Sequence, residues 1–188
     1  MKNITTTVLA LSFGVVAVYA QPNPVNMRVS GSAAASTISL QPGMPASEYG
    51  LAGNGTLGQF TLRAVTASAP TPQRSTTCSG PTQLYLTAVA GAAVFRFDDG
   101  GLLKVNLTGG SDCIDFAAGQ ALCIRVFQVT GGTGRFKNAS GGTVTLTMTV
   151  APVLGDASNN PVLFTVTGTV TGAVPGVATD QGNQDGQR

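Results

Sequence analysis

The chain has 188 residues, a length that suits one domain with a real hydrophobic core, and only 10% of them are charged, against about 25% in an ordinary globular protein. A net charge of +2 with no Lys/Arg cluster excludes an electrostatic nucleic-acid binder. The absence of His removes the commonest general base and the commonest metal ligand, and abundant Gly, Thr and Val point to a β-protein.

The N-terminus reads as a signal peptide over residues 1–20. Lys2 supplies the positive start, Val8 to Val18 an apolar run, and Val18-Tyr19-Ala20 the small residues that a signal peptidase reads, with cleavage before Gln21. The rival reading is a membrane anchor, but the run is shorter than the ~20 apolar residues that span a bilayer. No membrane span is expected after cleavage, which makes the protein secreted or periplasmic. Residues 21–50, rich in Pro, Ser, Ala and Gly, read as an N-terminal extension with possible short strands at Val25–Val29 and Thr37–Leu40.

Gly53-Asn-Gly-Thr-Leu-Gly58 matches the dinucleotide-binding pattern in letters only. That pattern needs a strand before it and a helix after it. Here the preceding segment reads as loop and Gln59–Val65 reads as a strand. Residues 66–82 read as a second loop, containing Cys78. Ala92–Phe97 and Leu102–Leu107 then flank Asp98-Asp-Gly-Gly101 as a hairpin. A three-residue turn, Asp99 to Gly101, sets Phe97 opposite Leu103, Phe95 opposite Val105 and Arg96 opposite Lys104, which keeps apolar residues together on one face.

The same reasoning at Ala117-Ala-Gly119 sets Ile114 opposite Leu122 and Cys113 opposite Cys123. Directly opposed Cβ atoms lie within disulfide reach, and an exported chain meets oxidising conditions. A Cys113–Cys123 bridge is therefore expected, which leaves Cys78 free; the alternative is that Cys78 takes one of the other two. In this register Asp115 and Arg125 fall on the outer face as a surface charge pair, with Ile114 and Ile124 inside. The other reading makes Asp115, Arg125 and Tyr85 pocket groups, since burying a polar residue without purpose is costly.

An apolar segment from Ala121 to Val129 leads into Val129-Thr-Gly-Gly-Thr-Gly-Arg-Phe-Lys-Asn-Ala-Ser-Gly-Gly-Thr143. Gly131, Gly132, Gly134 and Gly141 permit a compact connection, and Phe136 reads as a plug that enters an apolar core. Thr143–Val150 alternates Val144, Leu146, Met148 and Val150 with Thr, and Pro161–Val170 does the same with Val162, Phe164, Val166 and Val170. Both are half-buried antiparallel strands. From 173 to 188 the chain lacks apolar anchors and reads as a disordered tail.

The fold class is therefore all-β, with Gly-rich turns and no helical periodicity, either a sandwich or a barrel. The stretch Gly131-Gly-Thr-Gly-Arg-Phe-Lys-Asn-Ala-Ser-Gly141 resembles the Gly-Gly-Thr-Gly-x-Phe-x-x-Ala-x-Gly signature of the allene oxide cyclase-like and dirigent-like β-barrels, whose bacterial secreted members are of unknown activity. The resemblance covers about residues 50 to 172 and implies a single antiparallel barrel of about eight strands over 51–172. In the plant relatives the barrel interior serves a fatty-acid-derived cyclisation or guides phenolic radical coupling.

Few residues offer chemistry. Asp98, Asp99 and Asp156 sit where turn carboxylates satisfy backbone donors, no zinc or calcium ligand spacing is present, and no base stands ready to activate a serine. No cofactor, metal or catalytic residue is assigned. The interior ligand-binding set is Phe95, Phe97, Ile114, Ile124, Met148 and Phe164. The leading reading is a secreted barrel that binds a small apolar ligand or serves as a stable extracellular module. The alternatives are a cofactor-free isomerase or cyclase, which can work by confinement and exclusion of water, and a surface or matrix interaction protein using the Thr-rich faces.

Overall fold

A computed structural model of the protein describes residues 22–73, Cys78, 83–155 and 161–178. The expected signal peptide and the distal tail, 179–188, lie outside the described residues. Eight antiparallel strands close into one barrel in sequential order: β1 (Asn23–Ala35), β2 (Ala46–Gly55), β3 (Phe60–Ser68), β4 (Gln83–Phe97), β5 (Leu102–Asp115), β6 (Gln120–Gly132), β7 (Thr143–Gly155) and β8 (Pro161–Val174), with β8 paired to β1. Closure leaves no strand edge unpaired, which suits a chain with few charges to guard one. Among the described residues no helix is long and apolar enough to cross a membrane.

The barrel starts earlier and ends later than the composition implied. Residues 21–50, expected as an extension with possible short strands, contribute all of β1, which contains the expected Val25–Val29, and half of β2, whereas Thr37–Leu40 lies in the β1–β2 connection and forms no strand; the inward residues Val25, Met27, Val29 and Tyr49 are core. Residues 173–178, expected in the tail, are ordered: Val174 is buried and the Ala178 amide donates to the Arg135 carbonyl. A strand does precede Gly53–Gly58, contrary to expectation. The element after it is β3 and not a helix, so the dinucleotide pattern remains one of letters only.

The β4–β5 hairpin differs from its expected register by two residues: Phe95 faces Leu103 and Arg96 faces Leu102. A shift of two preserves facing, and Phe95, Phe97, Leu103 and Val105 remain inside. The β5–β6 hairpin differs by one. Four residues, 116–119, form its turn, so Ile114 faces Ala121, Cys113 faces Leu122 and Asp112 faces Cys123. A shift of one sends every side chain to the other face. Cys113 and Cys123 therefore lie on opposite faces, and the expected bridge between them does not form. Cys113 bonds instead to Cys78, tying down the β3–β4 connection, and Cys123 is free and buried.

One end of the barrel is shut. Gly134 takes φ 59°, a value that glycine adopts readily, and starts a 3₁₀ turn, Gly134–Phe136, that drives Phe136 inward. A Cβ at Gly132 would lie 2.2 Å from the Leu102 carbonyl oxygen, so only glycine lets the connection fold this tightly. Phe136 has no exposed surface and stacks on Phe97 at 4.6 Å, with Phe60 and Phe95 beneath. Arg135 lies over both rings of the Phe97–Phe136 pair, at 5.0 and 4.7 Å, and is held by Asp99 at 2.9 Å.

Candidate functional site

The other end, which carries the β1–β2, β3–β4, β5–β6 and β7–β8 connections, has a different interior. On β6 the inward positions run Ala121, Cys123, Arg125, Phe127 and Val129. Arg125, expected outside, is only 2% exposed. Its partner is Asp112 on β5, with Nη1 2.7 Å from Oδ1, and not Asp115. A bulge brings Asp112 inward. Thr108 is an extra residue where Leu107 and Gly109 face Phe127 and Val126, and this bulge resets the alternation of β5. Asp112 then faces Leu86 on one side and Cys123 on the other.

The guanidinium spans the lumen. Its Nε donates to Thr66 Oγ1 on β3 at 3.2 Å, and Nη2 donates to the Tyr49 hydroxyl on β2, the opposite wall, at 3.3 Å. Nη1 donates to the backbone carbonyls of Ser111 and Ile124 at 3.1 and 3.0 Å. Both protons of Nη1 are thus committed, and Asp112 Oδ1 is held by charge without a directed hydrogen bond. Asp112 Oδ2 accepts from Ser68 Oγ at 2.8 Å.

Electrostatics follow from burial. Burial alone would depress the Arg125 guanidinium, but the facing Tyr49 and Asp112 outweigh it and hold the charge above its ordinary strength. Burial raises the Tyr49 phenol above its ordinary value, with Arg125 offsetting part of the effect. Burial likewise pushes the Cys123 thiol far up, and the Asp112 carboxylate beside it adds to this, so Cys123 stays a neutral thiol. The layer can present a fixed cation, a protonated phenol and a carboxylate with one acceptor lobe undirected.

One step further toward the end, on β5 to β8, the inner wall turns apolar. Ile114, Ala121, Val150, Pro152 and Phe164, with Phe116 from the β5–β6 turn, line a cavity of about 200 Å³. Asp115 stands at its edge, where its carboxylate accepts from the Ala117 and Ala118 amides, each at 3.0 Å. The expected interior set therefore divides. Ile114 and Phe164 line the cavity; Phe95, Phe97 and Met148 are sealed in the core; Ile124 lies on the outer face, because β6 alternates in the opposite phase to the one expected. Tyr85, opposite Cys113, also lies on the outer face, where its backbone bridges Gln73.

Sequence reasoning missed Tyr49, Thr66, Ser68 and Asp112 as members of one site. Phasing β6 from Phe127 and Val129, beside the plug, would have placed Arg125 inside, whereas counting from the turn placed it outside.

The fold and the site define a closed eight-stranded antiparallel barrel, plugged at one end, with a buried ionic layer below an apolar mouth at the other. No protein-family model and no curated protein matches the chain. Among solved structures the chain is similar to the pterocarpan synthase dirigent protein GePTS1, with 11% identity, 89% of this chain and 99% of that chain covered, and a TM-score of 0.39. The barrel itself rests on the strand pairing described above.

Proposed function

We propose that the barrel holds a small, mainly apolar molecule, or one end of a longer one, at its open end. The observation that carries this reading is the apolar cavity of about 200 Å³ set next to the Asp112–Arg125 layer. Its volume lies below the ~300 Å³ at which pockets for whole drug-sized ligands begin, so it suits a single ring or a short chain segment. An apolar wall supplies affinity by burial, and one polar group of the ligand can turn inward to the carboxylate. Export belongs to the same reading: residues 1–20 serve as a signal peptide, and the Cys78–Cys113 bridge is of the kind that persists in oxidising compartments.

Native mass spectrometry of the protein secreted by its own host tests this. The expected spectrum shows a retained apolar mass that leaves on denaturation and is absent from an Ala121→Phe variant, whose ring fills the cavity. A bare chain mass in the parent protein would refute ligand binding and favour a structural module.

A second reading, a cofactor-free isomerase or cyclase, is favoured by one observation: an ionic cluster with both partners buried stands inside the barrel, where it costs stability. In that reading Asp112 accepts a proton at its undirected oxygen, Arg125 offsets the charge that develops, and the dry wall confines the substrate. With the captured molecule in hand, Asp112→Asn should keep binding and abolish turnover; unchanged turnover would end this reading.

A further inference from the structure

The outer wall of the barrel carries a hollow of its own, over β1 to β4, with a volume of about 350 Å³. The register explains it. On one outward row Gly50 faces Arg63 and Arg63 faces Val94; on the next, Glu48 faces Val65. Gly50 has no side chain, and the other outward positions of the lining, Ser32, Ala34 and Ala92, carry small ones. Val65, Val94 and Ile38, the last from the β1–β2 connection, supply apolar walls, and Ile38 and Val94 are exposed. The hollow shares no lining residue with the cavity at the mouth.

Arg63 lies in its floor. A Cβ at Gly50 would stand 2.8 Å from Arg63 Nη1 and 3.4 Å from Cζ, so the guanidinium occupies the space that a side chain at position 50 would take. Among the described residues Arg63 forms no hydrogen bond and no ion pair; the ion pairs there are Arg125–Asp112 and Arg135–Asp99. Glu48, the acid of the lining, is engaged: its Oε1 accepts from Ser36 Oγ at 2.7 Å, and that hydroxyl accepts from the Ile38 amide at 3.0 Å. The arginines of two other hollows keep polar company, Arg28 beside Asn54 and Gln59, and Arg96 beside Asp98.

We propose that this hollow binds a small molecule in which a carboxylate is joined to an apolar body about the size of one ring. The carboxylate sits on Arg63 and the body against Ile38, Val65 and Val94. Charge decides the class. A guanidinium presents its donors as a planar fork that matches a carboxylate in two parallel hydrogen bonds, and it is weakly hydrated, so covering it costs little. Glu48 already has a donor, whereas Arg63 lacks an acceptor among the described residues, so the unmet demand is for an anion. The volume falls at the lower end of the ~300–1,000 Å³ range of ligand pockets, and the apolar wall adds affinity by burial. The hollow is open to water, so the dissociation constant is expected on the order of 1 mM. This site does not rest on the ligand reading of the mouth.

Fluorine NMR on the full chain tests it, with 4-fluorobenzoate as the probe and 4-fluorobenzyl alcohol and 4-fluorobenzylamine as its neutral and cationic counterparts. Saturable line broadening is expected for the benzoate, with the alcohol bound about tenfold more weakly or less. Arg63→Met keeps the bulk and removes the charge, and should weaken the benzoate about tenfold or more, the ratio for losing a charge-assisted hydrogen bond. Gly50→Ala, which lifts the guanidinium from the floor, should weaken it with the charge still present. Glu48→Gln removes the second acid and should tighten it, so the result does not hang on one variant. The signal is expected to survive in a folded Ala121→Phe variant, whose mouth is filled. The proposal is overturned if no saturable broadening is seen up to about 10 mM, or if Arg63→Met binds as the parent does. It is also overturned if Ala121→Phe abolishes the signal, since the probe would then sit in the mouth. Equal binding of the alcohol, or preferred binding of the amine with Glu48→Gln weakening it, overturns it too, because the hollow would then select an apolar body alone or a cation.

Discussion

Replacing Arg125 by Met removes the charge and the hydrogen bonds but keeps much of the volume. The side chains of Arg125 and Asp112 are 2% and 10% exposed, so water does not take over the role of either partner. Breaking a buried pair from one side costs about 3–5 kcal/mol, because the remaining charge is left uncompensated. The Thr66 and Tyr49 hydroxyls and the Ser111 and Ile124 carbonyls each lose a donor as well. A loss of about 4 kcal/mol is thus a lower working figure, and for a chain of this size it corresponds to a fall of about 8–16 °C in melting temperature. Adding Asp112→Leu to Arg125→Met removes the stranded carboxylate and should recover most of the loss, since apolar replacement of a whole buried pair is neutral or stabilising. Urea unfolding of the two single variants and the double variant, taken as a cycle, reads the coupling directly. A cost below about 1 kcal/mol for Arg125→Met, or a double variant no more stable than the single, would refute a desolvated, mutually dependent pair.

Three further outcomes are expected. Phe136→Ala should cost about 3–5 kcal/mol in urea unfolding, as it empties the plug stacked on Phe97, while Phe136→Leu should cost less than half as much. Cys78→Ser opens a crosslink between residues 35 apart and should lower stability by about 4 kcal/mol by calorimetry, the loop-closure figure for that separation. Cys123 and Tyr49 both have folded pKa values raised above the ordinary 9.0 and 10.0. Their protons therefore favour the folded state: stability is complete below pH 9 and falls as pH rises through 9 and 10, where the unfolded chain ionises first. Cys123→Ala should flatten that alkaline decline between pH 8.5 and 10 in denaturant titrations; an unchanged slope would show that the thiol is not held neutral by burial.

The barrel was legible where alternation was unambiguous. On β7 and β8 one face is Val, Leu, Met and Phe and the other is Thr, so both strands read correctly from residue types alone. The candidate site was not legible, and the cause lies on β6. Its outer face carries Leu122, Ile124 and Val126, while its inner face carries Ala121, Cys123 and Arg125. Hydrophobicity therefore favours the wrong phase, and only the two residues nearest the plug, Phe127 and Val129, betray the right one. The bulge at Thr108 hides Asp112 in the same way, since a strict period of two would carry Leu107 over to the wrong odd-numbered positions. A protein that places an ion pair where its core should be defeats the rule that assigns faces by apolarity, and so the misread segment and the candidate site coincide. Residues 31–35, all Ala, Ser and Gly, hid the second half of β1, of which only Val25–Val29 was read as strand, for a simpler reason: small side chains give alternation little contrast.

The seam of the barrel sets the order in which it can be made. Asn23 pairs with Val174 and Leu163 with Ala34, so the first strand waits for the last before either is complete. During synthesis β1 presents a bare ladder of amides and carbonyls for the whole time that the other seven strands are emerging, and the seam, with the widest sequence separation of any pairing, is the slowest contact to find. The same seam brings Asn23 and Val174, near the two ends of the described residues, side by side at the plugged end. A circular permutant that joins them through a short linker and is cut within the β4–β5 turn would keep every ladder but move the seam, making β1–β8 a local hairpin and β4–β5 the pairing that closes the barrel, so the order of assembly should change with it.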